Sequence, residues 1–293
     1  MENLIKFMGE KYSTFSKGQK LIATYIMDHF DKAAFMTAAR LGDEVGVSES
    51  TVVRFAIELG FDGYPKLQKI LREVIKSKLT SAQRLEVSSS QIDSENVMKD
   101  VLQADVNKLR LSMEEADPVS FNAIVEKILE AQKIYILGVR SSAPLASFLG
   151  FYFNLIFENV RLVHTTSVSE MFEQIVNARA GDVIIGISFP RYSKRTTKAM
   201  QFAGKQGATI IAITDNDSSP LAECADYCLY ARSDMASFVD SLVAPLSMIN
   251  ALIVAIGYKR KDKMYLTLEK LEKIWDEYQV YEKDDHRTKL DND

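Results

Sequence analysis

The sequence predicts two unlike parts: an all-α N-terminal domain containing a helix-turn-helix, then an α/β domain with a parallel sheet flanked by helices. Three observations carry this. Up to about residue 80 the chain breaks into short stretches with apolar residues at helical spacing, punctuated by Gly46 and Gly60. From Lys133 the rhythm changes to short apolar runs, KIYILG, DVIIGIS and TIIAIT, and a polar loop and a helical stretch follow each. These runs are apolar throughout instead of alternating, as in strands covered on both faces.

Taken in order, SKGQKLIATYIMDHF (Ser16–Phe30) spaces Leu21, Ile22, Tyr25, Ile26 and Phe30 as one helix face, with Ser16 as its cap. Thr37 caps the next helix, whose stripe is Ala38, Leu41 and Val45. Gly46 permits a sharp turn, and Ser48 caps a helix that buries Val52, Val53, Phe55, Ala56 and Leu59. Pro65 starts a further helix. Residues 1–80 form this helical domain. Residues 81–117 hold a linker, TSAQRLEVSSSQI (from Thr80), and a long amphipathic helix, Ser94–Ala116. Residues 118–281 form the α/β domain, opening with a helix at Pro118. Weaker strands are expected at Arg161–His164 and Asp226–Ala231. The stretch Ala236–Tyr258 is apolar nearly all round, so its helix belongs in the core or in a subunit interface. A last helix ends near Tyr281, and residues 282–293 read as a disordered tail.

The chain of 293 residues has a net charge of −4, which argues against general coating of nucleic acid. Residues 1–80 nevertheless carry 12 Lys and Arg against 10 Asp and Glu, so the acidic excess lies in the remainder. Within the first part Lys66, Lys69, Arg72, Lys76 and Lys78 face only Glu73. Such a strip suits a small anion-binding head on a larger body. Cys224 and Cys228 have no metal spacing, and His29, His164 and His286 lie far apart, so no metal and no cofactor is expected. No apolar run approaches the roughly 20 residues that cross a bilayer, and no signal-peptide core is found, so the expected compartment is the cytoplasm, with no membrane partner.

The helix after Gly46 begins with short polar side chains, which compete for backbone and are poor choices inside a helix. At the tip of a recognition helix they are good choices, because that end meets base edges in the DNA major groove. Ser50 and Thr51 can bond phosphates or bases, Glu49 can accept from a cytosine amino group, and Arg54 can bind guanine or phosphate. The expected DNA-binding residues are Ser48, Glu49, Ser50, Thr51, Arg54, Tyr64, Lys66 and Lys69. VGVSESTVVRFAIELGFDGY (Val45–Tyr64) resembles the DNA-binding head of the RpiR family of bacterial transcriptional regulators. That resemblance implies a sugar-isomerase (SIS) domain behind the head.

Two hydroxyl-rich loops in the second part follow strands and lead into helices: GVRSSAP (Gly138–Pro144) and SFPRYSKRTT (Ser188–Thr197). Free N–H groups at a helix start favour an anion, hydroxyls add neutral donors, and Arg or Lys adds charge, which suits a phosphate ester. Neither GxxxxGK[ST] nor GxGxxG occurs. Both loops resemble the phosphosugar loops of SIS domains, and TIIAITDNDSSPLAECAD resembles a further segment of that family. The resemblance covers roughly residues 1–281. It implies phosphosugar binding by Arg140, Ser141, Ser142, Ser188, Arg191, Ser193 and Thr196. Where SIS loops usually carry Glu before the Thr, this chain has Lys194 and Arg195.

The fusion of a DNA-reading head to a phosphosugar pocket implies a regulator of carbohydrate-metabolism genes, working as a homodimer or homotetramer on a palindromic DNA operator. The alternative is an aldose–ketose phosphate isomerase, for which Glu170, Glu173 and His164 are the candidate acid–base groups. A sugar-binding regulator of another protein is a third reading, and it leaves the head without a DNA role.

Overall fold

The computed structural model describes residues 2–76, 82–85, 96–165, 167–233 and 239–282. Most of the expected linker, Lys78, and residues 283–293 of the expected tail lie outside them. The chain forms two compact units. One comprises residues 1–108 with 190–192 and 233–241; the other comprises 109–189, 193–232 and 242–293.

The first unit contains α1 (Glu2–Lys11), α2 (Lys17–Asp28), α3 (Phe30–Ala33), α4 (Ala38–Val45), α5 (Glu49–Glu58) and α6 (Tyr64–Lys76). Ser16 caps α2 in a reciprocal capping box with Gln19, and Thr37 caps α4 by accepting from Arg40 N–H. Gly46 ends α4 at φ 75°, the left-handed conformation that only glycine adopts at little cost, and the chain turns at once into α5. Val47 N–H donates to Gly42 O at 2.8 Å and closes this turn. Ile22, Ile26, Leu41, Val52, Phe55, Leu67 and Leu71 are fully buried in one core. Burying each such side chain contributes roughly 1.5–3 kcal/mol. From α6, Tyr64 Oη and Gln68 Nε2 both donate to Met36 O, and Arg72 Nε donates to Ala34 O. These bonds fasten the turn that precedes α4.

The second unit holds α8 (Pro118–Glu130), β1 (Ile134–Gly138), α9 (Ala143–Ile156), β2 (Val160–Val163), α10 (Val168–Ile175), β3 (Val183–Ile187), α11 (Lys194–Lys205), β4 (Thr209–Thr214), β5 (Tyr227–Tyr230), α12 (Val243–Lys259) and α13 (Lys261–Glu277). A longer helix, α7 (Val97–Glu115), precedes them. The five strands are all parallel in the order β2-β1-β3-β4-β5, so both weaker strands of the sequence reading are present. Every residue of β1 and of β3 is buried, which explains their unbroken apolar character. Met200 of α11 lies directly over Gly186 of β3, where an added Cβ would come within 2.1 Å of its sulfur.

The apolar helix is shorter than the sequence suggests. It begins at Val243, and residues 239–242 are not helical. Residues 236–238, where the sequence places its start, lie outside the described residues. Asp240 is ion-paired to the buried Arg84, and Ser241 Oγ donates to Asp105 Oδ1 at 2.6 Å. Short polar side chains bonded elsewhere do not extend a helix. No helix among the described residues is long and apolar enough to cross a membrane.

Candidate functional site

The first candidate region is the tip of α5. Ser48, Glu49, Ser50 and Arg54 are exposed and Thr51 is half-buried. Ser48 caps the helix by accepting from Thr51 N–H at 3.3 Å. Its hydroxyl also lies 2.9 Å from Ser50 Oγ and 2.8 Å from Thr51 Oγ1, so it links the other two hydroxyls. Glu49 lies in the first turn, where a carboxylate complements the helix dipole. The apolar side of α5 faces the core through Val52, Phe55 and Ala56, and this fixes which side is left to solvent.

Lys66 and Lys69 are exposed on α6. Arg72 is drawn out of the basic strip, because its guanidinium sits over the Phe35 ring and holds the Ala34 carbonyl. Tyr64 requires a correction. Its ring is 3% exposed, its hydroxyl is bonded to Met36 O at 2.9 Å, and burial pushes its pKa up to about 12. A side chain used inside the core cannot reach DNA. The sequence hides this, since a tyrosine beside a turn reads equally well as surface or core.

The second candidate region lies at the carboxyl ends of β1 and β3. These strands are neighbours, with Gly138 opposite Ile187. They are also where the strand order reverses, because the chain goes from β1 outward to β2 and then returns to β1's other side for β3. Open α/β sheets bind ligands in the crevice at this switch point. In the first loop Ser142 is buried, while Arg140 and Ser141 are exposed. Gly138 lets this loop fold tightly over the strand end, since a Cβ there would lie 2.7 Å from Ser142 O and 2.8 Å from Ala146 Cβ.

In the second loop Ser188 is buried and Ser193 half-buried. Ser193 caps α11 by accepting from Thr196 N–H. Thr196 is fully buried on the first turn of α11, and its Oγ1 has no hydrogen-bond partner among the described residues. Buried hydroxyls are rarely left so, and each such case calls for an explanation. Arg140 and Arg191 are two of the three non-glycine residues with positive φ among the described residues, at 55° and 65°. Each loop thus contains one arginine in a sparsely populated conformation, which costs of order 1–3 kcal/mol and clusters at functional sites.

The candidate isomerase groups are less organised. His164, Glu170 and Glu173 are all exposed, and Glu170 accepts from Thr165 Oγ1. Cys224 and Cys228 are half-buried, and burial raises both thiol pKa values above the usual range. No cluster of metal-ligating side chains occurs among the described residues.

Comparison with known proteins matches both parts. The family model "Helix-turn-helix domain, rpiR family" matches residues 2–78, and that of the SIS domain matches residues 127–255. An uncharacterised HTH-type transcriptional regulator of Caldanaerobacter subterraneus subsp. tengcongensis is 26% identical over 282 residues, which is 94% of this chain and 97% of that protein. The crystal structure of the sugar isomerase domain of an RpiR transcription factor from Sphaerobacter thermophilus covers 61% of this chain at 25% identity and TM-score 0.57, with 99% of that chain matched. The Vibrio vulnificus NanR protein, solved with ManNAc-6P, covers 93% of this chain and 98% of its own at 20% identity and TM-score 0.58. With its helix-turn-helix head ahead of a five-stranded parallel SIS domain, the chain belongs to the RpiR family of transcriptional regulators.

Proposed function

We propose that residues 1–80 are the DNA-reading head of a cytoplasmic regulator of carbohydrate-metabolism genes, and that residues 118–281 bind its effector, a phosphosugar. The observation that carries the effector reading is Thr196 Oγ1, a buried donor without a partner among the described residues, at a helix start on the β1/β3 switch point. Ser142, Ser188 and Ser193 lie on the same two loops, and a phosphate group is the ligand that uses several hydroxyl donors together. Arg140, Ser141 and Arg191 complete the proposed set, and the two arginines supply positive charge. That NanR has been captured with ManNAc-6P supports a phosphosugar in this class of pocket.

On the head, Ser48, Glu49, Ser50, Thr51 and Arg54 are proposed to meet base edges and phosphates, with Lys66 and Lys69 on the backbone. Two heads on a homodimer or homotetramer would match a palindromic operator with half-sites one DNA turn apart or a multiple of it. Assembly is supported by the outer side of α12. No charged residue occurs from Val243 to Tyr258, and Val254 and Tyr258 are 54% and 80% exposed. Effector and DNA affinities are then linked reciprocally, typically by about 1–3 kcal/mol.

A regulatory and not a catalytic role is supported by the regulator relative, and the candidate acid–base groups His164, Glu170 and Glu173 all sit exposed. The test is calorimetry of the full chain against a panel of sugar phosphates, run beside an aldose–ketose isomerase assay and a gel shift with DNA upstream of its own gene. Binding without turnover, together with a ligand-dependent shift, supports the regulator. Interconversion by the wild type overturns it.

A further inference from the structure

On α5, Ser50, Val53, Arg54 and Ile57 recur at i, i+3, i+4 and i+7, so they share one face of the helix. Ser50 and Arg54 are exposed. Val53 is half-buried and packs against the core of the head, but Ile57 leaves that core altogether and is 57% exposed. Among the residues of the head whose side chains are described, the other large apolar ones exposed on its helices are Phe7 at 37% and Leu21 at 47%, on α1 and α2. A lone exposed aliphatic residue is ordinary on a protein surface. Ile57 differs in its row, because it continues the line of side chains that begins at the polar tip. An isoleucine also has no donor or acceptor, so in a row of base readers it can recognise only an apolar feature. In the major groove that feature is the C5-methyl group of thymine.

We infer that Ile57 reads a thymine methyl in the operator. This rests on the proposed DNA-reading role of α5 and names what that helix recognises. Ile57 lies three residue steps beyond Arg54 along the helix, a rise of about 4.5 Å. Successive bases on a strand are about 3.4 Å apart. The thymine therefore lies one to two base pairs from the base pair that Arg54 contacts.

The experiment is a selection from a random-sequence duplex pool with full-length wild type. Each thymine of the selected site is then replaced by deoxyuridine, which lacks only the methyl group. One replacement should weaken wild-type binding about fourfold, the equivalent of burying one methyl-sized group at ~0.8 kcal/mol. The same replacement should not affect Ile57→Ala, which should bind both duplexes at the weakened level. Ile57→Val should keep part of the discrimination, and Arg54→Ala should keep the uracil penalty while losing affinity. Wild type that is indifferent to uracil at every thymine overturns the inference. So do uracil and Ile57→Ala penalties that simply add. Selection of no preferred sequence removes the DNA-reading role itself, whereas a preferred sequence that depends on Arg54 but shows no uracil penalty removes only the role of Ile57.

Discussion

Ser193 N–H donates to Ser188 Oγ at 3.0 Å, so the residue that caps α11 is tied to the residue that leaves β3. The loop between them is closed on itself. Ser193→Ala keeps this backbone bond and deletes the hydroxyl. The loss of the cap should cost about 1 kcal/mol of stability. Loss of one bond to a charged phosphate should weaken phosphosugar binding by roughly tenfold. DNA binding without effector should be unchanged, and calorimetry beside a gel shift checks both.

Thr196→Val separates stability from binding. The variant removes a buried hydroxyl that has no partner, so the free protein should be as stable as wild type or up to about 1–2 kcal/mol more stable. The melting-temperature rise produced by a saturating sugar phosphate should shrink. A variant that loses stability in the free form while keeping the full ligand-induced shift contradicts the assignment.

Arg54→Ala should lower affinity for the operator and blur base preference at one position. Lys69→Ala should weaken binding to all duplexes about equally and reduce the salt slope by about one. Titrations at several salt concentrations distinguish the two. An Arg54→Ala protein that binds the operator as well as wild type refutes the recognition assignment.

Val254→Asp places a charge on the uncharged outer side of α12. If that side is covered by a second copy, sedimentation of the variant should show a monomer where wild type shows a dimer or tetramer. Wild type that sediments as a monomer at micromolar concentration removes the assembly reading.

Tyr64 contributes a pH dependence. Its pKa is about 12 in the fold, against about 10 in an unfolded chain. Between these values the unfolded chain has lost the proton and the folded one still holds it. The stabilisation is therefore complete below pH about 10 and falls as pH rises toward 12. Alkaline unfolding of Tyr64→Phe, followed by circular dichroism, should lack this component. At neutral pH the substitution should cost only about 0.5–1.5 kcal/mol, because Gln68 still holds Met36 O.

The parts of the fold legible in the sequence were those with a strong local signal. The caps at Ser16, Thr37 and Ser48 and the turn at Gly46 follow from side-chain chemistry and backbone freedom within a few residues. The strands β1, β3 and β4 were legible because burial on both faces makes them apolar runs. What the sequence obscured depends on distant partners. Tyr64 is a core residue because Met36, far back in the chain, offers its carbonyl. The start of α12 is set by Asp240 and Ser241, whose partners Arg84 and Asp105 lie well over a hundred residues away. The orphan hydroxyl of Thr196 and the backbone strain at Arg140 and Arg191 have no sequence signature. The row from Ser50 to Ile57 was present in the spacing, and Val53 was expected on the core side, but only burial shows that Ile57 is left out of the core.

The contact of Met200 with Gly186 has an evolutionary consequence. Both positions are buried, and the sulfur fills the space that any side chain at 186 would occupy. A lineage that acquires alanine at 186 must swing the thioether of residue 200 aside or shorten that residue, or α11 is pushed away from β3. The two positions should therefore drift as a pair across diverging relatives, one gaining volume only where the other has lost it, whatever sugar each lineage has come to sense.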